Sequence, residues 1–195
     1  FLVPVIDGRQ RSVFAMTEPG GAGSDPGQLA TEAVFDGSNY VINGRKWLIT
    51  GADGARTWII MARVAPNPHG ADGPTLFLCD GQTPGIELER VTNTMDRNYV
   101  QGHGVVEFRD LTLPATAVLG EVGQGWKQVT SELALERSGP ERFLTTYPLL
   151  VQLIDRLGTS ADSRAAMLVG QLVARLYALR RMSLAIALAF SRGVD

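Results

Sequence analysis

After Gly120 the apolar spacing of this chain changes from the alternation of β-strands to the three-and-four spacing of helices. That change divides the 195 residues into two parts that must bury their apolar surface in different ways. Between about residues 11 and 120, short runs alternate apolar and polar positions between glycines and prolines. Glu32-Ala-Val-Phe35 and Tyr40-Val-Ile42 flank Asp36-Gly-Ser-Asn39, the signal of a tight hairpin. Asn43-Gly44 reads as a second turn, leading into Lys46–Thr50. Further strands are read at Thr57–Met61, Leu76–Leu78, Gly85–Val91 and Val105–Arg109. The pattern predicts an antiparallel barrel or a pair of packed sheets. Ala65–Gly73 is too rich in breakers for regular structure and reads as an exposed loop.

In the helical part, Gly125-Trp126 opens a helix to about Leu157, expected to kink at Gly139-Pro140 and again at Pro148. Thr159–Asp162 caps a second helix that runs to about Arg192. Its stripe of Leu168, Leu172, Leu176 and Leu179, widened by Val169, Val173 and Ile186, suits packing on both another helix and a subunit neighbour. The expected fold class is α+β.

A net charge of -2 gives no reason to expect nucleic acid or an anionic membrane as partner. The lone cysteine, Cys79, rules out an internal disulfide and argues against a Cys-based metal site; within Thr75-Leu-Phe-Leu-Cys79 it reads as a small buried hydrophobe. His69 and His103 lack ligand spacing and read as solvated loop histidines, so no metal is expected. The apolar runs are too short to span a bilayer and no signal-peptide pattern is read, which predicts a soluble, cytoplasmic protein. The chain opens at Phe1 and stops directly after a helical pattern, so both ends read as cut.

The stretch Phe14-Ala-Met-Thr-Glu-Pro-Gly-Gly-Ala-Gly-Ser-Asp25 carries the chemistry. A short strand gives way to a loop of small residues, whose backbone N–H groups and hydroxyls, Thr17 and Ser24, can crowd against a flat or anionic ligand. No helical pattern follows Gly20–Ser24, so it fails as a dinucleotide fingerprint and, taken alone, also fits a bare turn.

Five segments in order resemble the acyl-CoA dehydrogenase family. They are Met16–Asp25, Asn43-Gly-Arg-Lys-Trp-Leu-Ile-Thr-Gly51, Thr83-Pro-Gly-Ile86, Val106-Glu-Phe-Arg-Asp-Leu-Thr-Leu-Pro114 and Leu119-Gly-Glu-Val-Gly-Gln-Gly-Trp126. The resemblance covers roughly residues 13 to 137. It implies a middle β-domain at 1–120 and the first helices of an incomplete C-terminal helical-bundle domain at 121–195, with the N-terminal helical domain and the last helices outside this chain. It implies FAD at the edge of the β-domain. Thr17 matches a residue at the polar edge of the isoalloxazine, and Met16 one that meets the ring through its backbone. Gly23 and Ser24 match the loop that holds the pyrophosphate and borders the thioester substrate, and Thr50 matches the hydroxyl near flavin N5. Such hydrogen bonds tune a flavin toward accepting a hydride.

Three departures stand out. Gly20-Gly21 puts one extra residue ahead of Ala22-Gly-Ser-Asp25. Leu48 stands where many members place a tryptophan against the flavin, with Trp47 one position earlier. Either the register has slipped, or Leu48 packs on the ring while Trp47 faces the core; strand alternation favours the second. No Arg-x-x-Phe-Gly segment, which often reaches the flavin of a neighbouring subunit, occurs around Leu157–Arg164.

The implied reaction is desaturation of an acyl-CoA thioester to a trans-2-enoyl-CoA, with the α-proton taken by a carboxylate and hydride passing to flavin N5. Leu133-Ala-Leu-Glu-Arg137 resembles the motif of those members that carry the base on the first helix of the C-terminal domain. Glu136 stands at the base and Arg137 at a CoA contact. Read as residues alone, Glu136 and Arg137 also fit a solvated helix face with Glu132 and Glu141. The resemblance further implies fatty-acid β-oxidation, an electron-transfer flavoprotein as acceptor, and a homodimer or homotetramer. Two alternatives stay open: an oxygen-using acyl-CoA oxidase or flavin monooxygenase on the same scaffold, and a non-catalytic subunit of a heteromer.

Overall fold

β4 (Thr57–Val64) is buried at nearly every position and organises the first part of the molecule. The computed structural model describes residues 1–20, 25–66, 72–92 and 102–193, and within it the chain divides into two units, Phe1–Val129 and Thr130–Asp195. In the first unit, β5 (Gly73–Asp80) pairs antiparallel with one edge of β4. Along the other edge lie β1 (Ser12–Ala15) and then β2 (Glu32–Phe35), both parallel to β4. β2 continues antiparallel into β3 (Asn39–Thr50), then β7 (His103–Pro114) and β6 (Ile86–Thr92). The result is one seven-stranded sheet. The α+β class holds, but the sheet is mixed and not purely antiparallel. The parallel pairs arise because β1 and β2 reach β4 through long connections and not through hairpins.

On the core side lie Ile42, Trp58, Ile60, Val64, Phe77, Phe108 and Leu111, with Trp58 edge-on to Phe108 at 6.4 Å and Tyr40 edge-on to Phe77 at 5.1 Å. Phe77 is fully buried, so its truncation to alanine would cost about 3–5 kcal/mol. Cys79 sits in the same cluster, and burial pushes its thiol up to about 12, which keeps it an inert core residue.

The hairpin at Asp36–Asn39 forms as read: Asp36 Oδ1 accepts from the backbone N–H groups of Ser38 and Asn39. Asn43-Gly44 is not a turn. β3 runs straight through it, with a shift of register against β7 between Ile42 and Gly44. The Asn43 amide is held by Asp110 on β7, donating to its carboxylate at 3.1 Å and accepting its backbone N–H at 2.8 Å. Gly44 is required here, because a Cβ would come within 2.6 Å of the Thr31 backbone. Of the expected loop at Ala65–Gly73, residues 67–71, with His69, lie outside the described residues, and Gly73 already begins β5.

The short α1 (Leu2–Ile6) precedes the sheet. α2 (Gly125–Ser138) runs from the first unit into the second and stops before Pro140. The second unit continues through α3 (Glu141–Leu144), α4 (Tyr147–Leu157, with Pro148 in its first turn) and the 29-residue α5 (Ser163–Ser191), which Asp162 caps by accepting from Ala165 N–H at 2.7 Å. Both prolines therefore act as boundaries between helices, where kinks were expected. Among the described residues no helix is long and apolar enough to cross a membrane.

Candidate functional site

β1 ends at Ala15 beside Ile60, and β2 begins at Glu32 beside Arg63, so the chain leaves the edge of β4 at Ile60 and rejoins it further along at Arg63. The glycine-rich stretch is the excursion between these points. Its base is tied at both ends to one carboxylate. Glu18, buried, accepts from the backbone N–H groups of Ala30 at 2.7 Å and Thr31 at 3.0 Å, and from Lys46 Nζ at 2.7 Å. Lys46, fully buried on β3, also donates to the Met16 carbonyl at 2.9 Å, while Trp47 N–H donates to the Thr17 carbonyl at 3.0 Å. The main chain of Met16, Thr17 and Glu18 is thus clamped against the Lys46–Trp47 stretch before the glycines begin.

Burial weighs against the charge on both members of this pair. For Glu18 the bonds from Lys46 and the backbone outweigh it, holding the carboxyl below its ordinary 4.5. For Lys46 desolvation wins, and the amine is lowered to about 8 despite its carboxylate partner. Sequence reasoning named neither residue as part of the site. A signal was available: Tyr40, Ile42 and Lys46 share one face of β3, and a lysine at a core-facing position requires a buried anion.

Immediately after Lys46 the strand bulges. Lys46 pairs with Val106 but Ile49 with Gly104, which leaves one extra residue on β3, and Leu48 takes a left-handed φ of 56°. Trp47 does not face the core as expected: it follows the core-facing Lys46 and turns outward by ordinary alternation, and the bulge then keeps Leu48 from turning back inward. Trp47 and Leu48 are both exposed, at 38% and 47%. Two large apolar side chains therefore stand in solvent beside the clamped Thr17 backbone.

Thr50, the last residue of β3, is exposed and lies directly across from His103, the first residue of β7. Its hydroxyl is 2.8 Å from His103 Nδ1. His103 is half-buried on a strand and not a solvated loop residue. The neighbouring Gly104 is glycine because a Cβ would sit 2.6 Å from that of Ala52.

Met16, Thr17, Leu48 and Thr50 thus lie on one connected stretch of the first unit, while Gly23 and Ser24 lie outside the described residues. Glu136 and Arg137 belong to the second unit, in the last turn of α2. Both are exposed, and Glu136 forms an ion pair with Arg142 across the Gly139-Pro140 break. Ser183 Oγ donates to the Ser138 carbonyl at 2.7 Å, fastening the end of α2 to α5. No residue of α3, α4 or α5 is buried among those described; Leu149, Leu153, Leu172 and Leu176 line an apolar cleft of about 480 Å³ between α4 and α5.

The mixed sheet followed in the chain by helices has counterparts among known proteins. Residues 13–111 match the family model for the acyl-CoA dehydrogenase middle domain, and the chain belongs to that family. Among curated proteins it is 37% identical over 144 residues to the probable acyl-CoA dehydrogenase FadE2 of Mycobacterium tuberculosis, a match covering 73% of this chain and 34% of that protein. It is also 37% identical over 126 residues to the mitochondrial short/branched chain specific acyl-CoA dehydrogenase of Rattus norvegicus, covering 65% of this chain and 28% of that one. The matched part therefore spans about a third of the length of each of these two relatives. In fold it resembles butyryl-CoA dehydrogenase of Megasphaera elsdenii, with a TM-score of 0.85 at 24% identity, over all of this chain and 53% of that structure.

Proposed function

We propose that the whole protein carrying this chain is an FAD-dependent acyl-CoA dehydrogenase that converts a saturated acyl-CoA thioester to its trans-2-enoyl product. The observation that carries this reading is the clamped segment Met16–Glu18 beside the exposed pair Trp47 and Leu48. A flavin ring has an apolar plane and a polar edge, and this stretch offers a match for each. Leu48 and Trp47 offer apolar surface, the fixed Met16–Thr17 main chain and the Thr17 hydroxyl offer edge contacts, and Thr50 offers a second hydroxyl at the end of the same strand. FAD, when bound, supplies the hydride acceptor for the substrate β-carbon.

In this reading the domain division of the chain follows its family, with a middle β-domain at 1–120 and the opening of the helical domain at 121–195. Gly23 and Ser24 hold the pyrophosphate and border the thioester. Glu136 takes the α-proton, and its exposure leaves it accessible to substrate; Arg137 binds the CoA portion. Arg142 pairs with the Glu136 carboxylate and orients it until substrate displaces it. Electrons leave to a separate electron-transfer flavoprotein, the protein acts in fatty-acid β-oxidation in the cytoplasm, and it assembles as a homodimer or homotetramer.

The test is flavin retention. Protein expressed from the whole reading frame, mixed with excess FAD and passed through gel filtration, should keep a visible flavin band, and Thr17→Val should weaken it. Elution without flavin would contradict the proposal.

A further inference from the structure

The hydroxyl of Thr50 carries one proton and faces two demands. Resting on the reading above, in which Thr50 stands at flavin N5, it must donate to N5 of the oxidised cofactor and accept from N5–H of the reduced one. A lone threonine hydroxyl rotates freely between these senses. Thr50 is not alone: His103 Nδ1 is 2.8 Å from Thr50 Oγ1, and the two residues are direct cross-strand partners. A neutral imidazole nitrogen either bears a proton or bears a lone pair. With Nδ1–H, His103 donates to Thr50 and turns the hydroxyl proton outward. With Nδ1 bare, Thr50 donates to His103 and turns a lone pair outward. The proton on the His103 ring therefore decides which face of the hydrogen-bonding chemistry Thr50 presents.

We infer that His103 is a positioning residue that sets the donor or acceptor sense of the Thr50 hydroxyl, and through it the redox balance of the bound flavin. His103, half-buried at the start of β7, pairs with both β3 and β6, so the sheet fixes its backbone directly across from Thr50. No bond is made or broken in this role. A ring proton exchanges between nitrogens through solvent, and a hydroxyl rotates.

Two readouts test it. The first needs no cofactor and no activity. With only two histidines in the sequence, the ring nitrogens of His103 are assigned in a long-range ¹⁵N–¹H spectrum by their loss in His103→Gln. Thr50→Val should shift the Nδ1 resonance and leave the His69 signals in place; an unmoved Nδ1 overturns the pairing. The second is the flavin midpoint potential of the whole loaded protein, in wild type, Thr50→Val, His103→Leu and the double variant. The inference expects both single variants to shift the potential in the same direction, and the double variant to match Thr50→Val alone. His103→Gln, which can donate or accept, should stay close to wild type. A potential unmoved by His103→Leu, or shifts that add in the double variant, would overturn it. If His103→Leu does not fold, the Thr50→Val spectrum decides. Failure of wild type to hold flavin would instead refute the proposed function, and the spectrum without cofactor would still test the pair.

Discussion

Lys46 Nζ lies 2.7 Å from Glu18 Oε1, and neither side chain reaches solvent. This pair joins the β-sheet to the glycine-rich excursion, because Glu18 also holds Ala30 and Thr31 and Lys46 also holds Met16. Removing one partner strands a buried charge, and removing both does not. Lys46→Met should cost about 3–5 kcal/mol of stability, and Glu18→Gln/Lys46→Met distinctly less, both read by urea denaturation. A double variant as unstable as the sum of the singles would contradict this.

The same pair makes stability depend on pH in two windows. Burial lowers Lys46 to about 8 in the folded chain from an ordinary 10.5, so between these values the unfolded chain binds more protons. Stability from this group therefore rises with pH across that window. Glu18, held below 4.5 when folded, contributes stability that is complete above 4.5 and lost as pH falls through its folded value. Relative to Glu18→Gln/Lys46→Met, wild type should gain stability from pH 8 toward 10.5 and lose it below 4.5, measured by denaturant titration at each pH.

Leu48 combines strain with exposure. Its left-handed φ of 56° disfavours any residue with a Cβ, and its side chain is 47% exposed. Leu48→Gly should raise the stability of the flavin-free protein by up to about 1 kcal/mol. It should also weaken flavin retention, since the lost side chain is the proposed ring contact. A destabilised variant, or one with unchanged retention, would remove Leu48 from the site.

Glu136 is exposed and pairs only across the surface with Arg142, so its charge contributes little to folding. Glu136→Gln should change stability by less than about 0.5 kcal/mol while abolishing substrate-driven flavin reduction. Retained reduction would move the base elsewhere.

The hairpin is legible locally, because Asp36-Gly-Ser-Asn39 makes it from its own side chain. Pro140 and Pro148 are legible as breaks but not as helix boundaries, since the missing N–H acts where it stands while the path of the chain beyond it depends on packing. What depended on distant partners was not legible. Asn43-Gly44 looks like a turn until Asp110, 67 residues away on β7, holds the Asn43 amide where the register of the two strands shifts. The Leu48 bulge exists only against β7, and alternation carries no information about whether β1 and β2 run parallel to β4. His103 belongs to the same group, since its place on β7 is set by pairing with Thr50 and Thr92, far from it in sequence. Glu18 and Lys46 are 28 positions apart, and only the sheet brings them together.

The most direct measurement is the visible spectrum of the whole protein, loaded with FAD and mixed anaerobically with saturated straight and branched acyl-CoAs. The account predicts that the flavin band bleaches with at least one of them and that Glu136→Gln does not bleach. A flavin band that persists with every thioester would contradict the assignment of this protein as an acyl-CoA dehydrogenase.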